Sequence, residues 1–241
     1  MSKLPEGRGT LQTSGARWQR REIAVADLTV GDLAGVVYSS GKVFDGLSTG
    51  RLDTENFLSD GNLDGVASRA DLALLEDLRD AAQFIIDRAP QPVDAAFVKE
   101  VNATITRSGA LHPGQLRTAA QRIGVATTHG RHEPDALTDD ALQSLVASAV
   151  AGQDVREDAV NLFVDLAKAQ PFEDGNKRTA VFVANALLIG NDADVLLTIP
   201  VDENDPSVAA TFNDALARAY VFDEHDGVKS LLRERGLTAR G

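Results

Sequence analysis

Cysteine is absent from the 241 residues, which excludes disulfide bonds, thiolate nucleophiles and cysteine zinc sites. That absence leaves the compartment open, because a cysteine-free chain folds in oxidising and reducing surroundings alike. Basic residues are few beside acidic ones, 24 against 36, and the net charge of -12 repels phosphate backbones and anionic lipid, so no direct nucleic-acid or membrane partner is expected. Long hydrophobic runs are missing as well. The longest, Ala180 to Ile189, holds ten residues interrupted by Asn185, whereas a bilayer span takes about 20. The first fifteen residues are polar and rich in Gly, Ser and Thr, without the apolar core of an export signal, and the expected location is cytoplasmic. What remains is an ordinary globular composition, 43% hydrophobic and 25% charged, in a chain long enough for one large domain.

We expect a flexible tail over residues 1–20, in which Arg17, Arg20 and Arg21 flank Trp18 as a solvated lead-in. Residues 21–67 follow as an extension of loops with one short helix near Thr54 to Leu58. From Ser68 to Ala89 the apolar residues Leu72, Leu75, Leu78, Ala82, Ile85 and Ile86 recur at helical spacing, with Ser68 as N-cap and Pro90 just past the end. A second helix over Asp94 to Thr106 is expected. Between Ser108 and Pro134 the period fails, and Gly and Pro punctuate a loop with a short hairpin around Arg122, Ile123, Gly124 and Val125. Helical stripes resume at Thr138 to Ala151 and Asp154 to Ala169, and Lys177 to Ile189 is apolar nearly all round, as suits a central helix. Pro206 to Tyr220 and Asp226 to Arg235 read as C-terminal helices of the same domain, within residues 192–241.

Two apolar helices are thus joined by the polar connection Gln170-Pro171-Phe172-Glu173-Asp174-Gly175-Asn176-Lys177-Arg178. Gly175 and Asn176 precede a helix whose first turn offers unpaired N–H groups and the positive end of its dipole, an anion site to which Lys177 and Arg178 add charge. Asp174 supplies a hard oxygen beside it, as expected where Mg²⁺ bridges a carboxylate and a nucleotide phosphate. A plain helix–helix loop, with Gly as turn residue, Asn or Asp as cap and solvated cations, is the competing reading.

The segment resembles the Fic/Doc (Fido) signature His-Pro-Phe-x-[Asp/Glu]-Gly-Asn-[Gly/Lys]-Arg, matching at Pro171, Phe172, Asp174, Gly175, Asn176, Lys177 and Arg178. Upstream, Pro113 to Arg117, Gly124-Val125, His132 and Pro134 are similar to the family's flap region, and the resemblance covers residues 68–191. It implies an all-α helical bundle with a short β-hairpin flap, ATP or another nucleotide and Mg²⁺ as cofactors, and transfer of AMP or phosphate to a Ser, Thr or Tyr hydroxyl of a protein target. An antitoxin or inhibitory partner belongs to the same picture. By that resemblance Asp174 holds Mg²⁺. Gly175, Asn176, Lys177 and Arg178 bind phosphates, Phe172 anchors the loop, and Arg122, Ile123, Gly124, Val125 and His132 form the flap and target contacts.

Three positions set the chain apart within this resemblance. Lys177 stands where the AMP-transferring branch has Gly, and Val181 where it has a second Arg; both are similar to the Doc branch, which leaves the transferred group open between AMP and phosphate. Gln170 occupies the position of the family's general-base His. An amide has no accessible basic pKa, and general-base help is worth about 10²- to 10⁴-fold, so transfer is expected to be lost or weakened. An active transferase using another base, with His132 the foremost candidate among His112, His129, His132 and His225, is one alternative; a nucleotide-independent peptide-binding module is another. Glu55-Asn56 is the nearest match to the family's inhibitory [Ser/Thr]-x-x-x-Glu-[Gly/Asn] helix, with Arg51 at its first position, and an ordinary exposed glutamate is the competing reading.

Overall fold

The computed structural model describes residues 28–89, 91–109 and 111–240. The expected tail over residues 1–20, the basic cluster at 17–21 and the helix-stopping Pro90 lie outside the described residues. A 3₁₀ turn, Val30–Leu33, leads into α1 (Ala34–Phe44), and α2 (Arg51–Asp60) follows after a short loop. Helix α3 (Arg69–Arg88) starts where the Ser68 side chain accepts the Asp71 N–H, and α4 (Ala95–Ala103) where Asp94 accepts that of Phe97, so both begin at ordinary side-chain caps. The hairpin β1 (Val125–Thr127) and β2 (Gly130–His132) pairs Val125 with His132 and Thr127 with Gly130. Then come α5 (Asp139–Ala149), capped by Thr138, α6 (Val155–Ala169), capped by Asp154, and α7 (Asn176–Gly190). Strand β3 (Val195–Leu197), α8 (Pro206–Phe222), α9 (His225–Leu231), a π-helical turn (Leu232–Gly236) and β4 (Leu237–Ala239) complete the chain.

Helix α7 is the axis of this mostly helical fold. Its apolar residues leave no polar face, and α6, α3, α4 and α1 pack around it. Phe163, Phe172, Phe182 and Phe212 are fully buried, and Phe44 stacks on Phe163 at 6.3 Å between ring centroids. Helix α8 closes the core against α6 and touches β2, while α9 packs on α8 and α6. Among the described residues no helix is long and apolar enough to cross a membrane.

Three features differ from the sequence expectation. Residues 34–44, read as loop, form α1: Gly35, Ser39, Ser40 and Gly41 hide its helical stripe, yet Gly41 is what lets Leu47 and Leu78 approach, since a Cβ there would sit 3.1 and 3.2 Å from their methyls. The hairpin lies further along than expected, so Arg122, Ile123 and Gly124 precede the strand and only Val125 belongs to it. The small β3–β4 sheet was not foreseen. Asn185, which interrupts the apolar run, is fully buried and holds Leu197 by both backbone groups, donating to its C=O and accepting its N–H at 2.8 Å each. The last expected helix accordingly stops at Leu231, and the chain turns back through Gly236 to pair with β3.

Candidate functional site

Helix α6 ends because Gln170 turns into the left-handed region (φ 47°), where its N–H still reaches the Leu166 carbonyl. Its side chain is buried, and Nε2 donates to the Ala167 carbonyl at 2.5 Å, folded back on its own helix. Phe172 plugs the core. The Asn176 side chain then grips Phe172 like a second backbone: Oδ1 accepts the Phe172 N–H at 2.8 Å and Nδ2 donates to its C=O at 3.0 Å. Gly175 is required at φ 71°, both for that conformation and because a Cβ would lie 2.7 Å from Ile105 Cδ1. Asn102 of α4 ties the turn from outside, donating to the Asp174 carbonyl and to Thr179 Oγ1 while accepting the Gly114 N–H.

In the first turn of α7 Arg178 is buried and Lys177 half-buried. Arg178 is 2% exposed: Nη1 donates to Ser108 Oγ at 2.7 Å, Nη2 to the Ser108 carbonyl at 3.3 Å, and Nε faces Asp45 Oδ2 at 3.5 Å. Nη2 also lies 3.7 Å from Asp174 Oδ1. Lys177 lies with Nζ 4.9 Å from the centroid of the Phe44 ring. Burial is the largest influence on Lys177 and holds its pKa below the usual lysine value, with Arg178 adding to that and Asp45 and Asp174 opposing it. Burial likewise pushes the Asp45 carboxyl up, an effect that Arg178 and Lys177 only partly offset. Of the competing loop reading, Gly175 is indeed the turn residue, but Arg178 is not free in water.

Residues 116–135 lie along the motif loop. Leu116 pairs with Phe172 in an isolated antiparallel bridge, and Arg117, buried, donates from its backbone to the Pro171 carbonyl and from Nε to the Gln170 carbonyl at 2.7 Å. Its Nη2 holds the carbonyls of Pro134 and Asp135, which clips both ends of the hairpin segment to the loop. Burial pulls the Arg117 pKa below the usual arginine value. The hairpin is fixed on its far side too: His129 Nε2 meets Asp214 Oδ1 at 2.8 Å, and the His132 ring stacks on Tyr220 at 5.1 Å.

A cleft of about 360 Å³ opens between these parts, lined by Phe44 and Asp45, by Ile123 to Ala126, and by Gln170 and Glu173 to Arg178. A larger groove of about 780 Å³ adjoins it, sharing Val125, Ala126 and Lys177, and runs between β1 and α8 along Thr211, Asn213, Leu216 and Tyr220. Asp174 is half-exposed and presents a carboxylate at the cleft. Among the described residues no group of three or more His, Asp or Glu could cage a metal. One open carboxylate beside a phosphate site is nevertheless the usual provision for Mg²⁺, which keeps waters and takes its other ligands from the nucleotide. The donor set thus fits an ion that arrives with phosphate.

Of the residues expected at the site, Gln170, Asp174, Gly175, Asn176, Lys177, Arg178, Ile123, Gly124 and Val125 do line one cleft. Arg122 and His132 are not among its lining residues. Nε2 of His132 faces the Lys168 carbonyl at 2.7 Å, and a carbonyl only accepts, so that nitrogen carries the proton and points away from the cleft. His112 pairs with Glu173, and His225 sits with Asp223 and Lys168. Glu55 is bonded to Arg51 of its own helix; the carboxylates near Arg178 are those of Asp45 and Asp174. Asp45, Asn102 and Ser108 escaped the sequence reading.

Comparison with known proteins places this geometry. Residues 92–188 match the model of the Fic/DOC family. Among solved structures the chain is similar to a Fic-domain-containing signalling protein of Bacteroides thetaiotaomicron, at 16% identity over 91% of each chain with a TM-score of 0.60. It is also similar to the 134–508 fragment of Fic-1 from C. elegans, at 16% identity with a TM-score of 0.62, where the match covers 93% of this chain but 64% of the other. A single-substitution variant of that fragment gives 15% identity and a TM-score of 0.64 over the same shares. No curated protein sequence matches. The fold is that of Fic-domain proteins, and the matched segment holds the hairpin and the motif loop while leaving out α1 with Asp45 and α3.

Proposed function

We propose that the chain binds ATP or a similar nucleotide with Mg²⁺, and that its transfer of AMP or phosphate to a Ser, Thr or Tyr hydroxyl of a protein target is lost or weak. The observation that carries the reading is the first turn of α7, where buried Arg178, Lys177 and the free N–H groups of a 15-residue helix converge on a cleft with one open carboxylate, Asp174. Phosphates take that turn, and the adjoining groove between β1 and α8, with its mixed apolar and hydroxyl lining, takes the base and sugar. Asp174 would hold the Mg²⁺, which supplies charge neutralisation to the phosphates. Arg178 and Lys177 bind and orient the same oxygens, and Asn176 keeps the turn in shape from behind.

Gln170 supports the second half of the proposal. It stands at the start of the motif, where the similar family has its histidine base, and its amide cannot accept a proton from an attacking hydroxyl. No histidine is among the residues that line the cleft, and Nε2 of His132 is taken up by the Lys168 carbonyl. The test uses ATP labelled at the α- or γ-phosphate, offered with Mg²⁺ to a cell lysate, for the chain and for Gln170→His. We expect the histidine variant to transfer label at least about 10²-fold faster, with the labelled position naming the transferred group. Equal rates would refute the impairment. Calorimetry with ATP and Mg²⁺ showing no heat, together with no thermal shift, would refute nucleotide binding.

A further inference from the structure

We propose that Asp77 and Ser108 are positioning residues that fix the guanidinium of Arg178 for phosphate binding; the inference rests on the nucleotide reading above and adds residues outside the motif to it. Asp77 sits inside α3, fully buried, and gathers the loop after α4. Its Oδ1 accepts the N–H groups of Thr106 and Arg107 at 3.1 Å each, and its Oδ2 accepts the Ser108 N–H and the Ser108 hydroxyl at 2.7 Å each. The hydroxyl has one proton, and the carboxylate holds it. Ser108 Oγ therefore turns only lone pairs toward Arg178, whose Nη1 lies 2.7 Å away, and the Ser108 carbonyl takes Nη2.

The relay has a direction. A buried carboxylate orients a hydroxyl, the hydroxyl orients a guanidinium, and the guanidinium presents its remaining N–H groups toward Asp45 and Asp174 at the mouth of the cleft. A loop anchor alone would need only the backbone N–H bonds to Asp77. The second use of Ser108, by both its hydroxyl and its carbonyl, is what ties the anchor to the phosphate turn. Burial would raise the Asp77 carboxyl, but the hydrogen bonds from Ser108, Thr106 and Arg107 outweigh it and hold it below the usual carboxylate range, so the relay stays ionised at neutral pH.

Ser108 is the residue to change, because removing the Asp77 carboxylate orphans several loop N–H groups and destabilises the fold. Calorimetry with ATP–Mg²⁺ and with adenosine is run on the full chain, Ser108→Ala, Ser108→Thr, Arg178→Ala and the double Ala variant. Positioning predicts that Ser108→Ala weakens ATP about tenfold, the scale of one hydrogen bond to a charged group, and leaves adenosine unchanged. Ser108→Thr keeps the unsubstituted affinity, and Ser108→Ala adds nothing once Arg178 is gone. Unchanged ATP affinity in Ser108→Ala, where Arg178→Ala does weaken it, overturns the inference while the nucleotide reading stands; so does an equal loss with and without Arg178. If the unsubstituted chain binds no ATP, the nucleotide reading falls. Solvent exchange of the Arg178 Nε–H by NMR then still decides the positioning: faster exchange in Ser108→Ala supports it, and unchanged exchange overturns it.

Discussion

Asn176 separates two roles that its place in the motif confounds. Its side chain is nearly buried, and both of its polar atoms are engaged by the N–H and C=O of Phe172. Asn176→Ala leaves those two backbone groups of the fully buried Phe172 without partners. Each such orphan costs about 1 to 3 kcal/mol, so a loss of about 3 to 4 kcal/mol is a central expectation. At about 2 to 4 °C per kcal/mol for a chain of this length, the melting temperature falls on the order of 6 to 16 °C. Thermal denaturation followed by circular dichroism reads this directly. Asn176→Asp sharpens the test, because one oxygen still accepts the Phe172 N–H while the other now opposes the Phe172 carbonyl where an amide used to donate. Burial and lone-pair repulsion raise that carboxyl in the folded state above its unfolded value of about 3.9. The ionised form therefore costs stability above the raised pKa, and the deficit relative to the unsubstituted chain shrinks as pH falls through it. If Asn176→Ala melts within about 2 °C of the unsubstituted chain while losing ATP affinity, the side chain is a phosphate ligand and the staple is refuted.

Three further outcomes follow from the same geometry. Asp45→Asn removes a partly desolvated negative charge 3.5 Å from Arg178 and is expected to tighten ATP several-fold by calorimetry; because burial raises the Asp45 pKa, the ionised group costs stability at neutral pH, so the variant melts higher at pH 7 and its advantage shrinks as pH falls through that pKa. Lower affinity in the variant would show Asp45 to be part of the binding site. Gly175→Ala forces a side chain into positive φ and against Ile105, and about 1 to 3 kcal/mol of destabilisation in a denaturant titration is expected, with weaker ATP binding as the turn shifts; an unchanged midpoint contradicts the close approach. Asn185→Ala orphans both backbone groups of Leu197, and hydrogen exchange at β3 and β4 is expected to accelerate well beyond that in α3. Uniform change across the chain would mean that the small sheet is not a separate unit.

What was legible in the sequence was what is contiguous. Helices α3 and α6 announce themselves by long stripes and side-chain caps and α7 by a run that is apolar nearly all round, and the motif loop reads as one string of nine residues between two of them. The supports of that loop were not legible, because each is a single polar residue on a different element. Asn102 is one asparagine near the end of α4, Ser108 one serine in a loop, and Asp77 one aspartate on a helix that otherwise looks ordinary. Only the fold makes them neighbours, across sequence separations of 31 to 72 residues. Helix α1 was missed for a related reason: Gly41 lowers helix propensity, and it is there to let Leu47 and Leu78 pack close, a tertiary demand that overrides the local signal.

The same distribution of supports makes the shape of the loop independent of the side chain at position 170. The loop conformation at residue 170 is held by backbone groups, its N–H on Leu166 and its C=O on Arg117, and downstream by Phe172 and Asn176. Among the described residues the bond made by the Gln170 side chain runs back to Ala167 and touches neither Asp174 nor Arg178. Exchanging the residue at this position therefore changes which proton the site can accept without disturbing the backbone bonds that shape the loop. On the proposed function, Gln170→His is therefore expected to raise the rate of transfer while leaving the affinity for ATP where it was, and a changed ATP affinity in calorimetry would show that position 170 takes part in binding.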